Sequence, residues 1–419
     1  MKNVFIRAGD RGMGSELLEQ LRIFGITVHE IEAADEVARL VSAMGAGLLL
    51  SDCARIDREP AFMAELRRLK GELGSSLRLV FYADRDDFDT RLKAVRSGGE
   101  AFFQLPVDAP RLIDRIDALF DRREIPPYRV LLVDDDPEQL EYNALILRQA
   151  GMAPSIASDP ARVIPLLIET RPEIVLLDMY MPSCSGSELA ALIRQNEAFS
   201  GLPIVYLSVE RDLERQMGAL VQGGDEFLEK PIKPEHLVAS VAIRAERSRT
   251  TRFYMERDPL TGLLNHTNLA ERLGTEILRA RRTGSVLSFA KIDIDNFKSV
   301  NEEFGHFTGD RVLRSLGRLL EERLRRTDVV GRFGGEEFGV ILPGTDGRAA
   351  ARLVDELRGN FGRLLHRVDD REFSVTFSCG LAAYPEFLSA AELGEAAARA
   401  LGRAKSEGRD RSVVEAPRA

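Results

Sequence analysis

Acidic residues stand where apolar runs end. Asp134 and Asp135 follow RVLLV, Asp178 follows IVLL, Ser208 follows PIVYL, and Lys230 closes EFLEK. If those runs are strands of a doubly wound parallel sheet, their carboxyl ends meet in one crevice, where such folds bind ligands. Three carboxylates gathered there repel one another unless a hard dication neutralises them. Mg2+ takes oxygen ligands and keeps positions open for phosphate. A hydroxyl (Ser208) and an ammonium (Lys230) on the same rim can hold the oxygens of a phosphoryl group on Asp178. A solitary Asp after a strand is often a turn or a cap; five residues in matching strand order point past that reading.

A second constellation lies in the last third. Asp293 sits in KIDID, and Glu336 and Glu337 follow Gly334-Gly335. If the strands adjoin, Asp293 and Glu336 can share divalent metals about 3.5–4 Å apart, the usual device for attack at a phosphoryl centre. Glycines let the backbone approach a triphosphate without a Cβ clash. Asn301 and Asp310 flank EEFGHFTG, and an amide with a carboxylate can read the donor edge of guanine. Lys405 and Arg409, four apart on a helix-like segment, are expected to face one way and hold phosphates. Taken singly, each has a plain alternative: a tight acidic turn, a helix cap, a solvent-facing charge.

The elements needed to position these groups are legible as alternation. VFI, LLL, LVFY and AFF read as buried strands between segments of helical spacing, and the series then returns in RVLLV, IVLL, PIVYL and EFLEK. Alternating strands and helices predict a parallel sheet covered on both faces. The return has a near-constant offset of 125 to 126 positions (Asp52 to Asp178, Ala83 to Ser208, Leu105 to Lys230), so the domain is duplicated. Pro126-Pro127 marks the joint. After Pro234 a helix without Gly or Pro runs towards Pro259; its arginines (Arg244, Arg247, Arg249, Arg252) read as a solvated face. From 258 the rhythm changes to hairpins and helices, an α+β pattern, with Gly334-Gly335 as the hairpin turn. The expected division is 1–124, 127–246, a helical linker at 247–257, and 258–416.

The second repeat, with VDDD, LLDMYMP, YLS and EKP, resembles the receiver domain of two-component response regulators. The resemblance implies Asp178 as phospho-acceptor, Asp134, Asp135 and Asp178 around one Mg2+, and Ser208 and Lys230 as phosphoryl contacts. In the first repeat Asp52 survives, but Ala8 and Gly9 replace the acidic pair, Ala83 the hydroxyl and Leu105 the Lys. It reads as a degenerate receiver used for packing or dimerisation, with Asp10 a less favoured displaced ligand. The last unit, with DPLTGLLN, IDIDNFKSVNEEFGHFTGD, RFGGEEF and AKSEGRD, resembles the GGDEF diguanylate cyclase family.

That second resemblance implies two GTP molecules, one per protomer of a homodimer, condensing to cyclic di-GMP with release of pyrophosphate. Asp293, the backbone of Ile294, and Glu336 would bind two Mg2+; Asn301 and Asp310 would hold guanine; Lys405 and Arg409 would contact phosphates. Glu337 is the candidate to assist deprotonation of the 3′-hydroxyl or to be a further metal ligand. Arg325 and Asp328 form RxxD five residues before the first motif glycine, a spacing that resembles the family's inhibitory product site; the plain alternative is basic residues complementing their own helix end. A histidine kinase would phosphorylate Asp178. The rival reading is a non-catalytic, phosphorylation-regulated scaffold that binds cyclic di-GMP. A cyclase using ATP fits Asn301 and Asp310 less well.

Composition sets bounds. Net charge is −9, and the pI is about 5.4, against a general nucleic-acid binder. Hydrophobic content of 44% excludes a mostly disordered chain. Cys53, Cys184 and Cys379 lack CxxC spacing, so neither a disulfide framework nor a structural zinc site is expected. No apolar run reaches the ~18 residues of a membrane span, and the start does not read as a signal peptide, so the expected compartment is the cytoplasm. His29, His236 and His366 read as surface residues.

Overall fold

Strands buried on both faces should be continuous runs of Val, Ile, Leu and Phe, and both N-terminal sheets are built from them. The computed structural model describes residues 2–7, 15–120, 126–209, 212–368 and 371–416. The first repeat comprises β1 (Asn3–Arg7), α1 (Ser15–Ile23), β2 (Thr27–Ile31), α2 (Ala34–Met44), β3 (Gly47–Asp52), α3 (Ala54–Arg58), α4 (Pro60–Leu73), β4 (Leu77–Ala83), α5 (Phe88–Arg96), β5 (Ala101–Gln104) and α6 (Ala109–Phe120). Its sheet is parallel, in the order β2-β1-β3-β4-β5. Ala8, Gly9 and Asp10 lie outside the described residues.

The second repeat has β6 (Arg129–Val133), α7 (Pro137–Gln149), β7 (Ala153–Ala157), α8 (Val163–Thr170), β8 (Ile174–Asp178), α9 (Gly186–Arg194), β9 (Ile204–Ser208), α10 (Leu213–Val221), β10 (Glu226–Glu229) and α11 (Pro234–Glu256). Its parallel order, β7-β6-β8-β9-β10, is the same doubly wound order as the first. Every residue of β8 and β9 is buried. The side chain of Asp136 caps α7 through the amides of Glu138 and Gln139, and Ser185 with Glu188 forms a capping box on α9. α11 is continuous for 23 residues. Its arginines are less solvated than expected. Arg249 pairs with buried Glu173 at 2.8 Å and lies 4.4 Å over the Tyr128 ring, and Arg244 pairs with Glu226. A buried carboxylate needs such a partner, which spacing along one helix does not reveal.

The last part has α12 (His266–Thr283), β11 (Leu287–Ile294), α13 (Phe297–Phe304), α14 (His306–Arg323), β12 (Val329–Gly334), β13 (Glu337–Pro343), α15 (Gly347–Gly362), β14 (His366–Val368), β15 (Arg371–Phe373), β16 (Phe377–Tyr384), α16 (Ala390–Ser406) and β17 (Ser412–Val414). The mixed sheet runs β12-β13-β11-β16-β17, with β11 antiparallel to both neighbours. Gly334 and Gly335 turn the β12–β13 hairpin at φ 134° and 55°, conformations closed to most side chains. Phe289, Phe338 and Phe377 on the three central strands are fully buried. Residues 1–122 and 256–419 form one compact unit and residues 123–255 another.

His366 is not a surface residue. It is 1% exposed, neither ring nitrogen has a hydrogen-bond partner among the described residues, and its ring lies 5.5 Å from that of Phe373. Burial pushes its pKa from 6.5 down to about 4, against a smaller upward pull from Asp108. The unfolded chain therefore binds the proton first: stability is whole above about pH 6.5 and drains as pH falls towards 4. We expect acidification to about pH 5 to cost this unit about 2 kcal/mol through His366. His366→Phe should remove that increment in urea melts at the two pH values; an unchanged acid sensitivity in the variant would exclude His366 as its source.

Candidate functional site

Two sites form at strand ends. In the second repeat β6 delivers Asp134 and Asp135, and β8 ends on Asp178. Oxygens of the three carboxylates lie within 4.8 Å of one another. Asp134 and Asp178 are buried and Asp135 is exposed. Asp134 Oδ1 accepts from the Asp136 amide at 3.0 Å, and Asp178 Oδ2 from the Tyr180 amide at 2.8 Å, so the turns after the strands fix both carboxylates.

Lys230 enters the same crevice. Its Nζ is 2.9 Å from Asp134 Oδ2 and also pairs with Asp178 Oδ1, while its amide donates to the Ser208 carbonyl at 2.8 Å. Ser208 is buried at the end of β9. Burial raises the Asp178 pKa, opposed by Lys230 and reinforced by Asp134. Burial alone would lower Lys230; its hydrogen bonds to Asp178 and Asp134 outweigh that and hold it above its ordinary value. All five residues expected from the sequence thus share one rim. The oxygen donors and their spacing suit a hard dication. Behind the rim, the Phe227 ring lies 4.9 Å from that of Tyr206.

The first repeat offers less. Asp52 ends β3 and accepts from the Ala54 amide at 2.8 Å, an ordinary turn contact, and the rim carries Ala83 and Leu105.

In the mixed sheet, β11 ends at Ile294, and Asp293 is in register with Glu337 of β13. The Ile294 amide donates to the Glu336 carbonyl at 3.3 Å, which brings the hairpin turn to the end of β11. Asp293 is 5% exposed; burial raises its pKa, Lys405 opposes, and Glu336 and Glu337 reinforce. Glu337 pairs with Lys291 at 3.2 Å, a contact that sequence reading missed; Lys291 and Asp293, two apart on one strand, share a face of the sheet. Lys405 Nζ lies 2.7 Å from Asp293 Oδ2, a carboxylate contact that the sequence reading, which expected phosphate, did not anticipate.

Lys405 and Arg409 do not share one helix face, contrary to expectation. α16 ends at Ser406, Gly408 turns the chain at φ 115°, and Arg409 is left-handed at φ 62°. Asp295 holds that turn: buried, it accepts from Thr376, Ser378 and the Asp410 amide. Nor do Asn301 and Asp310 flank a loop. Asn301 is in α13 and Asp310 in α14, with only Gly305 between the helices. A Cβ on Gly309 would lie 1.9 Å from Asn301 Oδ1, so α13 and α14 pack at glycine distance beside the amide. Gly309→Ala should displace Asn301; if Asn301 holds guanine, as the resemblance implies, the Kd for GTP rises about tenfold, the cost of roughly one lost hydrogen bond. Unchanged GTP affinity would remove Asn301 from the base site.

Arg325 and Asp328 come together through backbone. The Arg325 amide donates to Asp328 Oδ2 at 2.9 Å, in the turn between α14 and β12, and the Arg325 side chain is exposed.

No described helix is long and apolar enough to cross a membrane. Residues 255–411 match the family described as "Diguanylate cyclase, GGDEF domain", and residues 130–242 match "Response regulator receiver domain". The chain is similar to Response regulator PleD of Caulobacter vibrioides, with 32% identity over 267 residues, covering 61% of this chain and 58% of that protein. It resembles Diguanylate cyclase DgcP of Pseudomonas aeruginosa at 43% over 157 residues, 38% of this chain and 23% of that protein. An uncharacterized 76.5 kDa protein of Thiocystis violacea is 26% identical over 420 residues, 98% of this chain and 61% of that protein. The chain spans less than two thirds of each of these relatives. Two doubly wound sheets of the same order, a carboxylate-lined rim in the second, and a mixed sheet after them accompany these matches: the chain carries a response regulator receiver domain at 130–242 and a GGDEF domain at 255–411, and PleD is its homologue.

Proposed function

We propose that the chain is a diguanylate cyclase that condenses two GTP into cyclic di-GMP under the control of phosphorylation at Asp178. The observation that carries this reading is the placing of Asp293 beside the Gly334-Gly335 turn, with Glu336, Glu337 and Lys405 around it. Each 3′ oxygen forms a bond to the α-phosphorus of the other GTP, and the bond from that phosphorus to its pyrophosphate breaks. Two such steps close the ring and release two pyrophosphates. Glu337 takes the 3′ proton or serves as a further metal ligand. Asn301 and Asp310 hold guanine, and Lys405 and Arg409 hold phosphate oxygens.

The donor set suits Mg2+: Asp293, the Ile294 carbonyl and Glu336 would hold two ions, and Asp134, Asp135 and Asp178 one. Bound there, Mg2+ supplies charge neutralisation and Lewis acidity at the phosphoryl centre. Each site supplies half of the reaction, so turnover requires a homodimer. A histidine kinase donates the phosphoryl group to Asp178, where Ser208 and Lys230 hold its oxygens. Cyclic di-GMP binds at Arg325 and Asp328 and restrains synthesis. The functional division follows 1–124, 127–246, 247–257 and 258–416, and the compartment is the cytoplasm. Incubation with GTP and Mg2+, with and without a phosphoryl mimic, tests the reading: cyclic di-GMP is the expected product. No product in any condition would favour a cyclic di-GMP-binding scaffold.

A further inference from the structure

Three arginines of α14, Arg311, Arg318 and Arg323, each reach a partner in the first repeat. Arg311 pairs with Asp108, and both side chains are largely buried, at 17% and 13% exposure. Arg318 reaches Asp114 at 3.0 Å and the Ile113 carbonyl at 3.2 Å. Arg323 donates to the carbonyls of Ile23 and Arg22 at 2.7 and 2.8 Å. Between these contacts Leu21, Phe24, Ile113 and Ile116 of the first repeat belong to the same buried apolar cluster as Leu313 and Leu320 of α14. Solvated arginines would gain little from such pairs; buried ones lose heavily when a partner is removed.

The Asp108–Arg311 pair is the contact nearest the base-binding residues. Asp108 Oδ1 accepts from the Arg111 amide at 2.9 Å and so caps α6, while Oδ2 faces Arg311. Arg311 also donates to the Arg367 carbonyl at 3.3 Å. Its guanidinium is therefore tied to the start of α6 on one side and to β14 on the other. Arg311 directly follows Asp310, and the helix turn before it packs on Asn301 through Gly309.

We propose that the first receiver, which lacks the hydroxyl and lysine of a phosphoryl pocket, acts as a brace on the guanine site of the GGDEF part, with Asp108 and Arg311 as its positioning residues. A shift of the first turns of α14 moves Asp310 relative to Asn301, so the brace sets the geometry with which the two read the base. This rests on the assignment of Asn301 and Asp310 to guanine.

The test is equilibrium binding and turnover of GTP and of ITP, which lacks the exocyclic amine, by the full chain and by Asp108→Ala. We expect the Kd and KM for GTP to rise about tenfold, kcat to change less than about twofold, and the preference for GTP over ITP to fall, because one lost or misaligned hydrogen bond is worth about that factor. The double exchange Asp108→Arg with Arg311→Asp should recover most of the affinity. If Asp108→Ala does not fold, Asp108→Asn, which keeps a cap acceptor and loses the charge, gives the same reading. Unchanged GTP affinity and GTP/ITP preference in a folded variant overturn the brace, as does a fall in kcat alone. A parent chain that binds GTP but makes no product sinks the cyclase reading and leaves the brace to be judged on the binding data.

Discussion

Glu336→Gln is expected to lower kcat on GTP on the order of a thousandfold, because the neutral amide forfeits several kcal/mol of charge stabilisation at the phosphoryl centre, and each 1.36 kcal/mol is a factor of ten. The substitution keeps side-chain size, and the Ile294 amide bonds to the Glu336 backbone carbonyl, so the sheet is untouched. The loss should therefore appear without a change in melting temperature, and the KM for GTP should move far less than kcat. Cyclic di-GMP formation that survives the change would break the assignment of Asp293 and Glu336 as partners at one centre.

Asp178→Asn should abolish uptake of a phosphoryl group from a small-molecule donor such as acetyl phosphate, from one group per chain to none. Asp178 Oδ1 faces Lys230, and Asp134 and Asp135 complete the set of oxygen donors around it. Asp52→Asn should leave uptake unchanged, since Ala83 and Leu105 stand where the second repeat has Ser208 and Lys230, and Asp52 holds a turn through the Ala54 amide. Intact-mass measurement separates the two. Label retained by the Asp178 variant, or lost from the Asp52 variant, would reassign the acceptor.

Four strands of each doubly wound sheet were legible because a strand buried on two faces must be an unbroken apolar run, and its end is marked by the first polar residue; the edge strands β2 and β7, mostly half-buried, have no such run and were not placed. Asp134, Asp178, Ser208 and Lys230 were found that way, and all four stand on one rim. The end of β11 was legible for the same reason. What escaped were features set by backbone reversal or by distant partners. Arg409 looked like a helical neighbour of Lys405, but the chain leaves α16 at Ser406, and the reversal is held by Asp295 from the turn after β11. Arg311 and Arg318 carried no signal in the sequence, because their carboxylates lie some two hundred residues earlier. His366 looked exposed because His is polar, and only tertiary packing against Phe373 placed it inside.

The unit containing residues 1–122 is completed only by residues 256–419. On the ribosome, its N-terminal half emerges long before α14. At about 5–20 residues per second, synthesis of the intervening segment takes roughly 10–40 s. During that interval the cluster that holds Leu21, Phe24, Ile113 and Ile116 lacks the residues that α14 contributes to it. The nascent chain thus carries a sticky face through the making of an entire second domain, and a fragment that begins at the GGDEF part would display the complementary face of α14 for good. Expression of such fragments should be limited by aggregation, and co-expression of residues 1–122 should relieve it.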